Sequence, residues 1–169
     1  METIRTPITD ILTNEHAMFC SLFDVIDRLL PDVRTVAEVQ LLSRLVEGVL
    51  SHHADVEQNL AYAALDHALA EKGQLNRLYQ DHEEIDNHLR NVTMAREFLE
   101  AVQLLKAGLK ASREHFRREE RTIFPLFKNL FDFTSQTALG DGVPGEDAPL
   151  GTHGFANAMS AQLQVFASQ

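Results

Sequence analysis

The chain has 169 residues, 44% of them hydrophobic, with 25 acidic against 15 basic side chains and a formal charge of −10. That length suits one domain with a real core and a short appendage. The acidic excess repels phosphate backbones and anionic lipid, so it argues against nucleic-acid and membrane partners and for a cation or a neutral molecule. A single cysteine, Cys20, cannot form an internal disulfide, and no charged start followed by an apolar run marks a signal peptide or a membrane span. A reducing cytoplasm is the expected compartment. Eight histidines, two tyrosines and no tryptophan complete the inventory.

Apolar residues recur at helical spacing through the first 130 positions, with no sustained strand alternation, which predicts an all-α fold. In the first segment Leu12, His16, Phe19, Phe23, Ile26 and Leu30 form one stripe, bounded by Pro7 and by Pro31-Asp32. The second carries Leu42, Val46, Val49, His53, Val56 and Leu60 and stops before Gly73. The third runs Leu75, Leu78, His82, Ile85, Leu89 and Val92, and the fourth Leu105, Gly108, Ser112, His115, Glu119, Thr122 and Leu126, with Pro125 near its end. Between the last two only Gly108 breaks the pattern. One helix across both would leave its seam exposed, so a turn is expected near Asn91 to Glu97. Glycine and proline concentrate after residue 133, which divides the chain into a four-helix domain, 1–133, and a loop with a short amphipathic helix at Phe155 to Phe166, 134–169. That last helix is a candidate docking element for a protein partner or a second copy of the chain.

Four histidines occupy seam positions that call for apolar residues: His16, His53, His82 and His115. Two are followed one turn later by a carboxylate, in His53-x-x-x-Glu57 and His115-x-x-x-Glu119. Residues at i and i+4 share a helix face, so ring and carboxylate can meet one metal. The pattern repeats, since Glu15-His16 precedes His53 by 37 residues and Asp81-His82 precedes His115 by 33. A duplicated hairpin in an up-down-up-down bundle would bring all four rings to one level. Each buried polar group without a partner costs about 1–3 kcal/mol, against a domain stability of about 5–15 kcal/mol, so six of them together call for a counter-charge. Four rings and two bridging carboxylates leave open positions on two ions that each take about six ligands, as non-haem iron does.

These residues, with the run Glu119-Glu120-x-x-Ile123-Phe124-Pro125 after His115-Phe116, resemble the hemerythrin-like, or HHE cation-binding, domain over roughly residues 8–130. The resemblance implies a four-helix bundle holding two iron ions joined by an oxo or hydroxo bridge. His16, His53, His82 and His115 would be terminal ligands, and Glu57 and Glu119 bridges. Members bind oxygen, react with nitric oxide or peroxide, or handle and sense iron, so the expected partner is a small diatomic ligand or peroxide. An alternative is an iron-binding, iron-sensing or signalling module, including iron handling of the iron–sulfur repair type, without turnover of its own. Oxygen carriers have a second histidine where this chain has Asp86, which is open to three readings: an extra ligand, a hydrogen-bond partner of bound water, or a solvent-facing side chain. Glu120 neighbours the favoured Glu119, and Cys20, one turn after His16, reads as a small core residue, or else as a ligand or redox partner of the site. Tyr62 and Tyr79 are candidate donors behind the ligands, and Phe19, Phe23, Phe116 and Ile123 candidate walls of a ligand pocket.

Overall fold

A computed structural model describes residues 5–69 and 73–143, and every regular element among them is helical. Helix α1 (Ile8–Leu29) starts where the amides of Asp10 and Ile11 donate to the Pro7 carbonyl, and it ends just before Pro31. Helix α2 (Val36–Val56) opens on a capping box: the Thr35 hydroxyl accepts from the Glu38 amide, and the Glu38 carboxylate accepts from the Thr35 amide. A π-helical segment π1 (Glu57–Tyr62) carries it into α3 (Ala63–Ala68). Gly73, at a φ of +83°, supplies the left-handed turn toward α4 (Asn76–Met94). Helix α5 (Phe98–Arg118) follows after three residues, inside the window expected for this turn. It continues through a second π-helical segment, π2 (Glu119–Ile123), into α6 (Phe124–Leu130).

The four arms, α1, α2 to α3, α4 and α5 to α6, pack as a helical bundle whose interior is divided in two. Phe19, Phe23, Ile26, Val46, Leu89, Leu105 and Phe116 belong to one apolar cluster. Ile8, Leu12, Tyr62, Leu65, Leu78, Phe124 and Phe127 belong to the other. Between them in sequence on every arm sits a polar residue: His16 between Leu12 and Phe19, His53 and Glu57 beside Val56, His82 between Leu78 and Ile85, and His115 and Glu119 between Leu109 and Phe124. The antiparallel arms thus stack a buried polar layer between two oily ones.

Both π segments begin at the glutamates that the spacing rule singled out, and each inserts one residue into its turn. An unbroken α-helix would carry the seam from Glu57 to Leu60 and Ala64. The buried residues are Ala61, Tyr62 and Leu65, one position later, while Leu60 and Ala64 are only half-buried. After Glu119 the expected Thr122 is exposed and Leu126 half-buried, and Phe124 and Phe127 are buried in their place. The same one-residue shift in both halves corrects the seams expected for Leu60, Thr122 and Leu126.

A second correction concerns the start of the loop expected from residue 134. Residues Phe133–Gly140 form a further helix, α7, capped by the Asp132 carboxylate, which accepts from the Ser135 amide at 2.8 Å. It lies against α1, where the buried Thr9 hydroxyl donates to Gln136 at 3.3 Å. A Cβ on Gly140 would stand 2.2 Å from the Thr6 carbonyl oxygen, so this glycine marks a close approach rather than a helix breaker. The amphipathic segment Phe155 to Phe166, and the partner-docking role expected of it, lie outside the described residues.

Candidate metal centre

Six side chains converge on the polar layer, one from α1, one from α4 and two from each of the other arms. His16, His53, Glu57, His115 and Glu119 are at most 2% exposed and His82 is 8% exposed. The Nε2 atoms of His16 and His53 stand 3.0 Å apart, and those of His82 and His115 2.8 Å apart. Glu57 lies between the two pairs. Its Oε1 is 3.4 Å from His16 Nε2 and 3.0 Å from His53 Nε2, while its Oε2 is 3.2 Å from His82 Nε2 and 3.8 Å from His115 Nε2. Glu119 also spans them, with Oε2 at 3.4 Å from both His16 and His115. Two overlapping groups of metal-capable atoms result: His16, His53, Glu57 and Glu119, and Glu57, His82 and His115.

The outer nitrogen of each ring is held from behind. His53 Nδ1 donates to Glu15 at 2.7 Å, His16 Nδ1 to Glu120 at 3.0 Å, and His115 Nδ1 to Asp81 at 3.4 Å, while His82 Nδ1 meets the Gln58 amide at 2.8 Å. An ionised carboxylate only accepts, so at His16, His53 and His115 a ring hydrogen sits on Nδ1 and Nε2 faces the layer. The Nε2 atoms of His16 and His53 face each other across 3.0 Å, so a shared proton or a metal ion has to satisfy them. The same outward hydrogen bonds fix ligating rings and raise their basicity in metal sites.

The charges follow the same geometry. Burial pulls the His53 ring toward its neutral form, but the Glu57 charge and hydrogen bonds to Glu15 and Glu57 outweigh it and push its pKa up to about 10. His115 is likewise raised against burial, chiefly by the Glu119 charge. Burial would raise Glu57, yet His53 and the surrounding rings hold it well below the usual carboxylate range. Burial, then the Glu57 charge, pushes Glu119 up to about 8. Two atoms complete the picture: Glu57 Oε2 and Glu119 Oε2 are buried with no hydrogen-bond partner among the described residues. A buried carboxylate oxygen without a donor is costly. Metal coordination removes that cost, so this donor set of imidazoles and carboxylates fits bound metal.

Of the other residues singled out by the sequence, Glu120 is partly exposed and serves the outer face of His16. Asp86 is exposed and sits on the rim of a cavity of about 20 Å³ beside His53, His82 and His115. That volume holds about one water-sized molecule. Its apolar walls are Leu50, Ala54, Ile85 and Phe116, so Phe116 is the one expected wall residue that lines it. Phe19 instead packs edge-on against His53 at 5.1 Å, and Phe23 lies deeper in the apolar cluster. Cys20 is a half-buried free thiol packed on that cluster, and it belongs to neither metal-capable group. His67 lies exposed on α3. Tyr62 is fully buried and its hydroxyl donates to Glu119 Oε1. Sequence reasoning did not assign Glu15, Gln58 and Asp81 to the rings. The available signal was adjacency: Glu15 and Asp81 immediately precede seam histidines, and Gln58 immediately follows a seam glutamate.

A helical bundle whose core carries a buried layer of four imidazoles and two carboxylates is, as a class, a cation-binding bundle. Residues 7–127 match the family described as the hemerythrin HHE cation binding domain, and the chain belongs to that family. No curated protein and no solved structure matches the chain. No helix among the described residues is long and apolar enough to cross a membrane.

Proposed function

We propose that the polar layer holds two iron ions and that the protein binds or reacts with a small ligand such as oxygen, nitric oxide or peroxide. His16 and His53 hold one ion and His82 and His115 the other, with Glu57 and Glu119 bridging. The observation that carries this reading is the pair of buried carboxylate oxygens without donors, set between two pairs of ring nitrogens. Bound iron supplies redox and ligand-binding chemistry. The chain keeps the ions at one level, excludes bulk water with two apolar clusters, and leaves a cavity of about 20 Å³ beside three of the rings. That size admits a diatomic molecule or the peroxide group. Asp86, exposed at the rim, acts on what enters rather than as a ligand. The acidic surface and single thiol fit a cytoplasmic protein without nucleic-acid or membrane partners.

Metal analysis of protein purified without oxygen, followed by optical spectra on adding oxygen, nitric oxide or peroxide, tests the reading. Two irons per chain and an oxo-to-iron charge-transfer band after air exposure are expected. Less than one iron per chain and no such band after aerobic reconstitution would overturn it.

A further inference from the structure

The chain fills ten aromatic positions with phenylalanine and only two with tyrosine, and it has no tryptophan. Those two tyrosines touch. Tyr62 on π1 and Tyr79 on α4 pack edge to face with ring centroids 5.5 Å apart. Tyr62 is fully buried and donates its hydroxyl hydrogen to Glu119 Oε1, whose other oxygen faces His16 and His115. Tyr79 is 37% exposed. Phenylalanine would supply the same edge-to-face packing. What a phenol adds is a ring that gives up an electron when its proton has an acceptor. The two oxidisable rings form a continuous line from the metal layer to the surface, and the inner one has its acceptor in place. The π1 insertion is what turns Tyr62 into the core, so the device depends on the shift in register that begins at Glu57.

We propose that Tyr62 and Tyr79 form an electron relay that gives the protein a peroxidase activity, reducing a hydroperoxide at the metal pair at the expense of a phenolic donor at the surface. The proposal rests on the metal reading above. Bound iron would supply the cleavage of the hydroperoxide O–O bond; Tyr62 would give up one electron toward the metal layer and pass its proton to Glu119 Oε1. Tyr79 refills Tyr62 with an electron, the proton returns from Glu119, and the Tyr79 proton leaves to solvent. A neutral phenol then restores Tyr79 with an electron and a proton. Two passages deliver two electrons, and two protons enter from solvent, so one hydroperoxide and two phenols become one alcohol or water, a second water and two phenoxyl radicals. The net charge of −10 selects a neutral donor over an anionic one.

The test mixes the iron-loaded full chain with hydrogen peroxide, freezes it rapidly and records electron paramagnetic resonance, with oxidation of a simple phenol followed in parallel. A tyrosyl radical and catalytic phenol oxidation are expected. Tyr62→Phe should lose both. Tyr79→Phe, at an exposed site, should keep its iron and a longer-lived radical on Tyr62 but lose phenol oxidation. A parent protein with two irons and a normal optical response to peroxide, yet no tyrosyl radical and no oxidised phenol, overturns the relay and leaves the metal reading standing. Phenol oxidation at the parent rate in Tyr79→Phe also overturns it. Failure of the parent chain to hold iron overturns the metal reading and the relay with it. Should Tyr62→Phe lose iron, the Tyr79→Phe arm decides alone.

Discussion

In the first hairpin Glu15 precedes His16 and reaches across to His53; in the second Asp81 precedes His82 and reaches across to His115. Gln58 follows Glu57 and meets His82, and Glu120 follows Glu119 and meets His16. Each half thus supports its own second ring and the other half's first ring, from identical positions. The chemistry at those positions differs. His16 and His53 are backed by two carboxylates. His82 and His115 are backed by an amide and by one carboxylate, Asp81, that already carries ion pairs to Arg77, at 2.9 Å, and to Arg118. A duplicated frame has been given unequal charge, and the field is more negative at the first pair of rings. The small cavity opens beside His53, His82 and His115, so both rings of the less negative pair border it.

The largest effect should come from the residue that joins the halves. Glu57 touches all four rings, whereas Glu119 touches His16 and His115 only. Glu57→Gln should therefore remove both ions, and Glu119→Gln should weaken binding without abolishing it, as read by iron content after anaerobic loading. The outer partners come next. Glu120→Gln makes the two halves match, and it should weaken iron at the His16 and His53 pair by about 10–100-fold, merging two phases of chelator-driven release into one. Asp81→Asn acts on the other half. It should also lower the melting temperature of the metal-free protein, by about 1 kcal/mol of stability, because Arg77 is largely solvated and Arg118 partly so.

The metal-free layer should lose stability as pH rises. Glu119, raised to about 8 mainly by burial, contributes fully below its unfolded value near 4.5, and the contribution is lost as pH climbs toward 8. His53, raised to about 10 because its carboxylate partners outweigh burial, contributes fully below about 6.5, and that is lost as pH passes through 10. Glu57, held low, has the opposite sign and matters only below about pH 4.5. Metal takes deprotonated ligands. The gap between loaded and metal-free melting temperatures should therefore widen from about pH 6 to about pH 9, and a constant gap would contradict these charges. The smallest effect lies at the helix starts. Thr35 caps α2, while its counterpart Glu97 makes no side-chain cap on α5. Thr35→Ala should cost about 1 kcal/mol in urea unfolding, and Glu97→Ser, three residues before Glu100, should regain a few tenths or more by completing a second capping box.

How much of this was legible in the chain depends on the type of signal. The four arms were, because Leu12, His16, Phe19 and Phe23, and their counterparts, keep one face through uninterrupted α-helix. The convergence of six polar groups was also legible, since a histidine in an apolar stripe is conspicuous and its repeat in two hairpins more so. The π segments were not. After Glu57 the residues Leu60, Ala61, Tyr62, Ala64 and Leu65 are all apolar or aromatic, so either register reads well. Only in the second half does a polar residue betray the shift: Thr122 stands where an α seam needs an apolar side chain, and Phe127 lies one position after the expected Leu126. Helix α7 was hidden for another reason. Gly140 reads as a breaker, but its missing side chain lets α7 close on the residue before Pro7, a contact distant in sequence. The outer ring partners reach between helices, and local spacing carries no record of that.

The central claim is a bridged pair of inequivalent ions, and Mössbauer spectroscopy of the air-oxidised protein loaded with enriched iron addresses it directly. The account predicts two quadrupole doublets of equal area from an antiferromagnetically coupled, diamagnetic ferric pair. A single magnetically split ferric species, with the resonance of an isolated ion, would contradict it.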